Sequence, residues 1–79
     1  MDNMFNIYPN PAQNYIRINF VKECHNIEVR IIDVHGRRVS AKEFSDQLDV
    51  TMEFELVPGV YAFMIKADGQ EGVVKVVVE

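Results

Sequence analysis

Residues 60–78 read VYAFMIKADGQEGVVKVVV, and this stretch decides the fold class. Side chains alternate between two faces on either side of Asp68-Gly69, a dipeptide typical of a tight hairpin turn. A period of two predicts β-strands, with Lys75 and Glu79 on the outward face of the second strand. The inward set is Tyr61, Phe63, Ile65, Val74, Val76 and Val78. The stretch therefore predicts two antiparallel strands joined by a hairpin.

The same alternation recurs upstream, in residues 15–20 and 27–31, and turn signals separate the runs. Pro9-Asn10-Pro11 forms a rigid corner, because proline fixes φ and lacks a backbone donor. Seven strands are predicted near 4–8, 15–20, 27–34, 37–44, 49–56, 60–67 and 73–78. Such short strands with tight turns indicate an all-β antiparallel sandwich. Its predicted core is Ile18, Val29, Ile31, Phe63, Ile65, Val74 and Val76.

Three local features carry further expectations. Residues 41–48 also fit a short helix, since Ser40-Ala41-Lys42-Glu43 matches a capping box, although strand is preferred over 49–56. Gly36 and Gly59 follow residues suited to tight turns, so both are predicted to adopt positive φ. Tyr61 is predicted to be a core or corner tyrosine whose hydroxyl bonds to backbone.

Length and charge limit the classes of function. The chain of 79 residues has room for one domain and one core. Its net charge of -4 argues against binding to nucleic acid or to an anionic membrane. The first residues lack a basic region followed by an apolar core, so no signal peptide is expected there. Residues 1–4 are expected to be linker or added residues ahead of a domain at 5–79.

The residues provide no convincing catalytic or metal site. Cys24-His25 is the one adjacent pair of good metal ligands, and His35 is the only other Cys or His, too few for a structural zinc site. The pair is interpreted as a polar loop between strands, with Cys24 free to form an intermolecular disulfide in oxidised preparations. A loose acidic cluster lacks a calcium-loop pattern and suits a solvated edge strand; its members are Asp46, Asp49, Glu53 and Glu55. No cofactor and no enzyme activity are predicted.

Four segments together resemble one family, the C-terminal sorting domains of type IX secretion substrates. Tyr8-Pro9-Asn10-Pro11 is similar to the family's opening Y-P-N-P, and Val29 to Val39 resembles its strand and G-[KR]-x-V turn around Gly36. Leu56 to Tyr61, with Pro58, Gly59 and Tyr61, resembles L-x-x-G-[VI]-Y. Residues 75–79, KVVVE, resemble the family's ending, except that Glu79 stands where Lys or Arg is usual.

The resemblance implies an immunoglobulin-like sandwich that acts as a secretion signal in Bacteroidetes-type bacteria. It would direct an N-terminal cargo through the outer-membrane type IX translocon to the cell surface, by way of the periplasm. A surface sortase would then remove it. Translocon recognition is predicted to lie in the tail, Lys75, Val76, Val77, Val78 and Glu79.

One alternative function stays open: the domain is otherwise interpreted as a β-sandwich accessory module for adhesion or carbohydrate binding.

The last strand carries a separate expectation. An apolar terminal strand favours unwanted pairing at a sheet edge, so a weak homodimer through the first or last strand is predicted. The same strand either completes the sheet or is offered to a partner by strand addition.

Overall fold

The computed structural model describes residues 5–79, and the expectations for residues 1–4 lie outside that range. Five strands form one curled antiparallel sheet. They are Phe5–Tyr8 (β1), Tyr15–Ile32 (β2), Arg38–Glu53 (β3), Gly59–Ala67 (β4) and Gln70–Val78 (β5). The sheet order is β1-β2-β4-β5, with β3 on the other side of β2. The all-β antiparallel prediction is therefore confirmed.

The predicted count of seven strands is wrong, because two pairs of runs are continuous. β2 joins the runs predicted at 15–20 and 27–34, and β3 joins those at 37–44 and 49–56. The intervening segments lack glycine and proline, so the chain stays extended and accommodates the change of direction in bulges. The largest shift in register lies between Asn19 and Cys24, where their partners on β3 are Asp49 and Gln47. The adjacent residue of β3, Asp46, has φ of 54°. Residues 41–48 are strand, so the helix alternative is also wrong.

β2 is the axis of the sheet. Its N-terminal part pairs with β1 on one side, while its C-terminal part, Ile27 to Ile32, pairs with β4 on that same side. β3 follows both parts along the opposite side and has no second neighbour among the described strands. The interpretation of the acidic cluster as part of an edge strand is thus confirmed for Asp46, Asp49 and Glu53, which lie on β3, whereas Glu55 lies beyond its end.

Alternation places the core inside the curl. Most of the side chains that β2, β3, β4 and β5 direct inward are less than 10% exposed. Six of the predicted core residues are fully buried: Ile18, Val29, Ile31, Phe63, Ile65 and Val76. Val74 is partly buried and packs against this cluster. The predicted core is therefore correct apart from the full burial of Val74.

The β4–β5 hairpin follows the sequence closely. Ala67 pairs with Gln70, so the loop consists of Asp68 and Gly69. Both have positive φ, 49° and 87°, as a type I′ turn requires. This turn sets the register of the two strands, and with it the residues that share each face.

Candidate functional site

The proline corner docks on the last strand. The peptide bonds Tyr8-Pro9 and Asn10-Pro11 are both cis. Asn10 projects its carboxamide at the main chain of β5, where Nδ2 donates to the Lys75 carbonyl oxygen over 3.0 Å. The Val77 amide in turn donates to Asn10 Oδ1 over 3.0 Å. One side chain therefore serves two backbone groups on the outer edge of β5.

Ala12 extends this edge contact by main-chain hydrogen bonds. Its amide donates to the Val77 carbonyl oxygen over 2.7 Å, and the Glu79 amide donates to the Ala12 carbonyl oxygen over 2.8 Å. Ala12 and Val78 thus form an isolated parallel bridge, and Ala12 is completely buried. The corner and the tail form one unit although they lie at opposite ends of the sequence.

The tail residues divide between two environments. Val76 and Val78 are core residues, exposed by 0% and 2%. Lys75, Val77 and Glu79 are exposed, as the alternation predicts. In the folded domain only these three can offer side chains to another molecule. The predicted recognition set therefore lies on the end of β5 and the residue that follows it, and two of its members are buried.

A third motif lies against the tail. Gly59 pairs with Val78 and Tyr61 with Val76, so the segment around Pro58 is adjacent to the end of β5. The Tyr61 hydroxyl donates to the Val57 carbonyl oxygen over 2.6 Å, and the ring is 7% exposed. The predicted role of Tyr61 is confirmed: it closes the corner that leads into β4.

The prediction of positive φ is correct for one glycine and wrong for the other. Gly36 has φ of 81° in the turn between β2 and β3. Gly59 is not among the positive-φ residues, because it already lies in β4 as the first residue paired with β5. A Cβ at Gly59 would meet the Tyr61 ring at 3.7 Å, an ordinary contact.

The turn at Gly36 is organised by one carboxylate. Asp33 Oδ1 accepts hydrogen bonds from the amides of His35 and Arg37, both at 2.9 Å. Asp33 Oδ2 accepts a third from Arg37 Nε at 3.0 Å. The Arg37 amide, followed by His35 and the Arg37 charge, holds the pKa of Asp33 below its usual value. This turn extends from the end of β2 at Ile32.

The four motif segments therefore occupy one end of the sheet. Ile32 pairs with Ala62, and Ala62 pairs with Lys75, so these three residues form one row across β2, β4 and β5. The Gly36 turn follows Ile32 and therefore begins beside the row that contains Lys75, the first residue of the tail. The proline corner and the Pro58 segment adjoin the same end. Sequence reasoning could find each motif but could not find their convergence.

The opposite end of β4–β5 contains the residues first considered as metal ligands. Cys24-His25 lies within β2, so the loop interpretation is wrong, because the strand continues through this pair. Cys24 is 6% exposed, which argues against the predicted intermolecular disulfide. Burial, with a smaller effect of Asp68, raises its thiol pKa. Within residues 5–79 no group of three or more His, Cys, Asp or Glu side chains could hold a metal ion.

Asp68 supports β2 at this point. Its carboxylate accepts hydrogen bonds from the amides of Asn26 at 2.9 Å and His25 at 3.0 Å. These two amides, Asn26 first, hold the pKa of Asp68 below its usual value. His25 Nδ1 lies 2.9 Å from Asp46 Oδ1, and this hydrogen bond raises the pKa of the imidazole. These contacts join β2 to the β4–β5 turn and to β3.

The remaining acidic residues do not assemble into a site. Asp49 accepts a hydrogen bond from Asn19 across the β2–β3 pair. Glu53 and Glu55 flank Phe54 at the end of β3, beside Asn14 and Tyr15. No helix in the described residues is long and apolar enough to cross a membrane.

Comparison with known proteins gives one result. A family model described as secretion system C-terminal sorting domain matches residues 6–79. A search of curated proteins found no match. The matched range includes all four motif segments and nearly the whole described structure.

Proposed function

Because the chain belongs to the family of secretion system C-terminal sorting domains, we propose that it directs its cargo through the outer-membrane type IX translocon and is then removed by a surface sortase. The family comprises sorting signals and is not a family of enzymes. Membership of this family implies that the chain belongs to an exported protein destined for the cell surface. It also implies that a cargo lies on the N-terminal side and that the secretion machinery recognises the domain. The transit stages, through the periplasm to the surface with release after cleavage, are part of the proposal.

The observation that supports this function is the convergence of the four motifs at one end of the sheet. A domain that the secretion machinery recognises needs an accessible and rigid surface rather than a pocket. Here the tail is fixed on one side by β4 and on the other by Asn10 and Ala12. We place translocon recognition on the tail, through the outward side chains Lys75, Val77 and Glu79. No observation favours the accessory-module alternative.

The test is a secretion assay in a bacterium that has the type IX system. The chain is fused behind a reporter with an inner-membrane signal, and the reporter is measured at the surface and in the periplasm. Lys75→Glu reverses an outward charge in the tail, and a short polar extension beyond Glu79 adds chain at its end. Both should leave the reporter in the periplasm with the domain uncleaved.

The matched control is Lys66→Glu. Lys66 is exposed on β4, on the same outward face, but lies at the far end of the hairpin beside Glu71. Its fusion should reach the surface as the unmodified fusion does. Normal delivery of both folded tail variants would show that recognition does not depend on the tail. Failure of the unmodified fusion to leave the periplasm would contradict the sorting function itself.

We also propose that the curled sheet is the family's immunoglobulin-like sandwich. The support is that the two parts of β2 have different neighbours, β1 beside one and β4 beside the other. One layer would then contain β1 and the second would contain β4 and β5, with β2 and β3 passing through both. An experimental structure without two facing layers about 10 Å apart would contradict this.

A weak homodimer is a further proposal. The edge of β5 at its tail is already occupied by Asn10 and Ala12. On β5, self-association through the sheet edge is therefore limited to residues 70–74. β1 is the other proposed edge, because the acidic residues Asp49 and Glu53 discourage pairing along the end of β3. A monomeric sedimentation profile at high micromolar concentration would argue against it.

A further inference from the structure

The outward face of the β4–β5 hairpin is unusually apolar for a surface that alternation should make polar. Cross-strand partners share a face, so the outward rows can be read from the register. Val60 faces Val77, and Met64 faces Val73. Between these rows Ala62 faces Lys75. We call this surface the hairpin face, formed by Val60, Ala62, Met64, Val73 and Val77 around Lys75.

The hairpin face is accessible at its three valines, while Ala62 and Met64 are partly buried. Val73 is 62% exposed, and Val60 and Val77 are 40% and 37% exposed. The face ends abruptly in the next row, where Lys66 faces Glu71. Along β2, Arg30 adjoins Met64 and forms an ion pair with Glu28 at 3.2 Å, while Ile32 adjoins Ala62. An apolar centre with charged residues on part of its border is typical of a surface that contacts another protein.

The three most exposed valines of the described residues do not share this arrangement. Val21, Val34 and Val57 are more than 70% exposed, but each is separated from the others along the chain and none belongs to an apolar row. Single exposed valines are ordinary on protein surfaces. The hairpin face differs because its side chains are held in register on two rigid strands.

Lys75 indicates the chemistry of a molecule that would bind the hairpin face, here called the occupant. The ion pairs among the described residues join His25 with Asp46, Arg30 with Glu28, and Arg37 with Asp33, so Lys75 has none of these as a partner. A carboxylate on the occupant would complement this ammonium group in the middle of the apolar rows. The strand that carries Lys75 is fixed by Asn10, so its position is set before any contact.

Two other occupants fit less well. A second copy bound face to face through a two-fold axis would bring two Lys75 ammonium groups near one another at the centre of the contact. An anionic lipid surface is disfavoured because the face carries a single lysine on a chain of net charge -4. The charge arrangement instead fits a protein surface that is apolar with an acidic group.

We propose that the hairpin face is the docking surface for a protein of the export machinery that presents an apolar patch with a carboxylate opposite Lys75. This inference rests on the proposed function and extends the recognition surface beyond the tail. Val60 on β4 and Val73 on β5 are then contact residues although neither belongs to residues 75–79.

The experiment uses the reporter fusion with the double variant Val60→Thr and Val73→Thr. Threonine keeps the branched shape that suits a strand while its hydroxyl disrupts an apolar contact. The control is Val21→Thr, because that valine is 75% exposed and lies outside the four motif segments and the hairpin face. Surface delivery by the hairpin-face variant should fall at least tenfold, with the reporter retained in the periplasm. The control should be delivered as the unmodified fusion is.

Folding of each variant is checked by its urea midpoint. If the double variant is unfolded, the single variant Val73→Lys replaces it, because that side chain is the most exposed of the face. Normal delivery of a folded hairpin-face variant alongside a delivered unmodified fusion would overturn this proposal alone. An unmodified fusion that is never delivered would instead overturn the sorting function.

Two binding measurements address the other occupants. Sedimentation of the chain at high micromolar concentration tests a second copy, and co-sedimentation with phosphatidylglycerol vesicles tests a lipid surface. The proposal expects neither interaction to depend on the hairpin face. A dimer or a vesicle complex that the double variant abolishes would assign the face to that occupant and overturn the partner named here.

Discussion

The carboxamide of Asn10 holds the main chain of the last strand at Lys75, 65 residues further along the chain. Nδ2 donates to the Lys75 carbonyl oxygen over 3.0 Å, while Oδ1 accepts from the Val77 amide. An isolated asparagine between two prolines thus acts as a short piece of neighbouring strand. The accessible tail side chains owe their fixed positions to this contact as well as to β4.

Replacing Asn10 should loosen the tail. Asn10→Ala removes both hydrogen bonds and should lower the free energy of unfolding by about 1 to 2 kcal/mol. Amide hydrogen exchange at Val77 should accelerate more than exchange at core positions of β4. Gln13→Ala is the control, since Gln13 is exposed and makes no side-chain hydrogen bond among the described residues. Unchanged exchange at Val77 would contradict the contact.

The Tyr61 hydroxyl should contribute measurably to stability. Tyr61→Phe keeps the buried ring but removes the donor to the Val57 carbonyl oxygen. The expected loss is about 1 kcal/mol in urea unfolding, the usual net contribution of one hydrogen bond. Tyr15→Phe is the matched control, because Tyr15 is 41% exposed and its hydroxyl has no partner among the described residues. Equal stability of both variants would show that the corner bond contributes nothing.

Acid should weaken the domain through Asp68 and Asp33. Hydrogen bonds from backbone amides hold the pKa of each carboxyl below 3.8, its usual value. A lowered pKa in the folded state gives stability that is present above that usual value and lost as pH falls through the folded pKa. The urea midpoint should therefore fall as the pH drops below about 4.

Asp68→Asn tests the origin of this acid dependence. The variant cannot ionise at position 68, so its urea midpoint should change less between about pH 5 and pH 2 than that of the parent chain. Glu55→Gln is the control, because Glu55 makes no hydrogen bond among the described residues. A parent and an Asp68→Asn variant with the same pH profile would rule out this carboxylate as a source.

Cys24 should be slow to react in the folded domain. The side chain is 6% exposed, and burial raises the pKa of the thiol, so little reactive thiolate is available. Labelling by a thiol reagent should be at least tenfold slower than in urea. The comparison is the variant Cys24→Ser with Val21→Cys, which moves the thiol to a 75% exposed position. Equal labelling rates for the two folded proteins would contradict the burial.

The hairpin illustrates what local patterns can predict. Alternation identified the inward faces of β4 and β5, and Asp68-Gly69 predicted their turn, because a two-residue loop with positive φ depends on the residues that form it. The order of the four motifs was also sufficient to identify the family, which the match over residues 6–79 shows. Proline and glycine positions were less decisive. The dipeptide Pro58-Gly59 is typical of a turn, yet Gly59 is the first residue of β4, because β5 provides its pairing partner.

Long-range pairing decided the rest. Whether residues 21–26 formed a loop or a strand depended on Asp68, whose carboxylate binds the His25 and Asn26 amides from more than 40 residues away. The contact of Asn10 with Lys75 depended likewise on the fold bringing the two ends of the chain together. The sequence by itself determined the strand faces, the hairpin turn and the family, since these follow from neighbouring residues. Only the tertiary structure decided the strand count, the convergence of the motifs and the hairpin face, because hydrogen bonds between distant segments have no local signal.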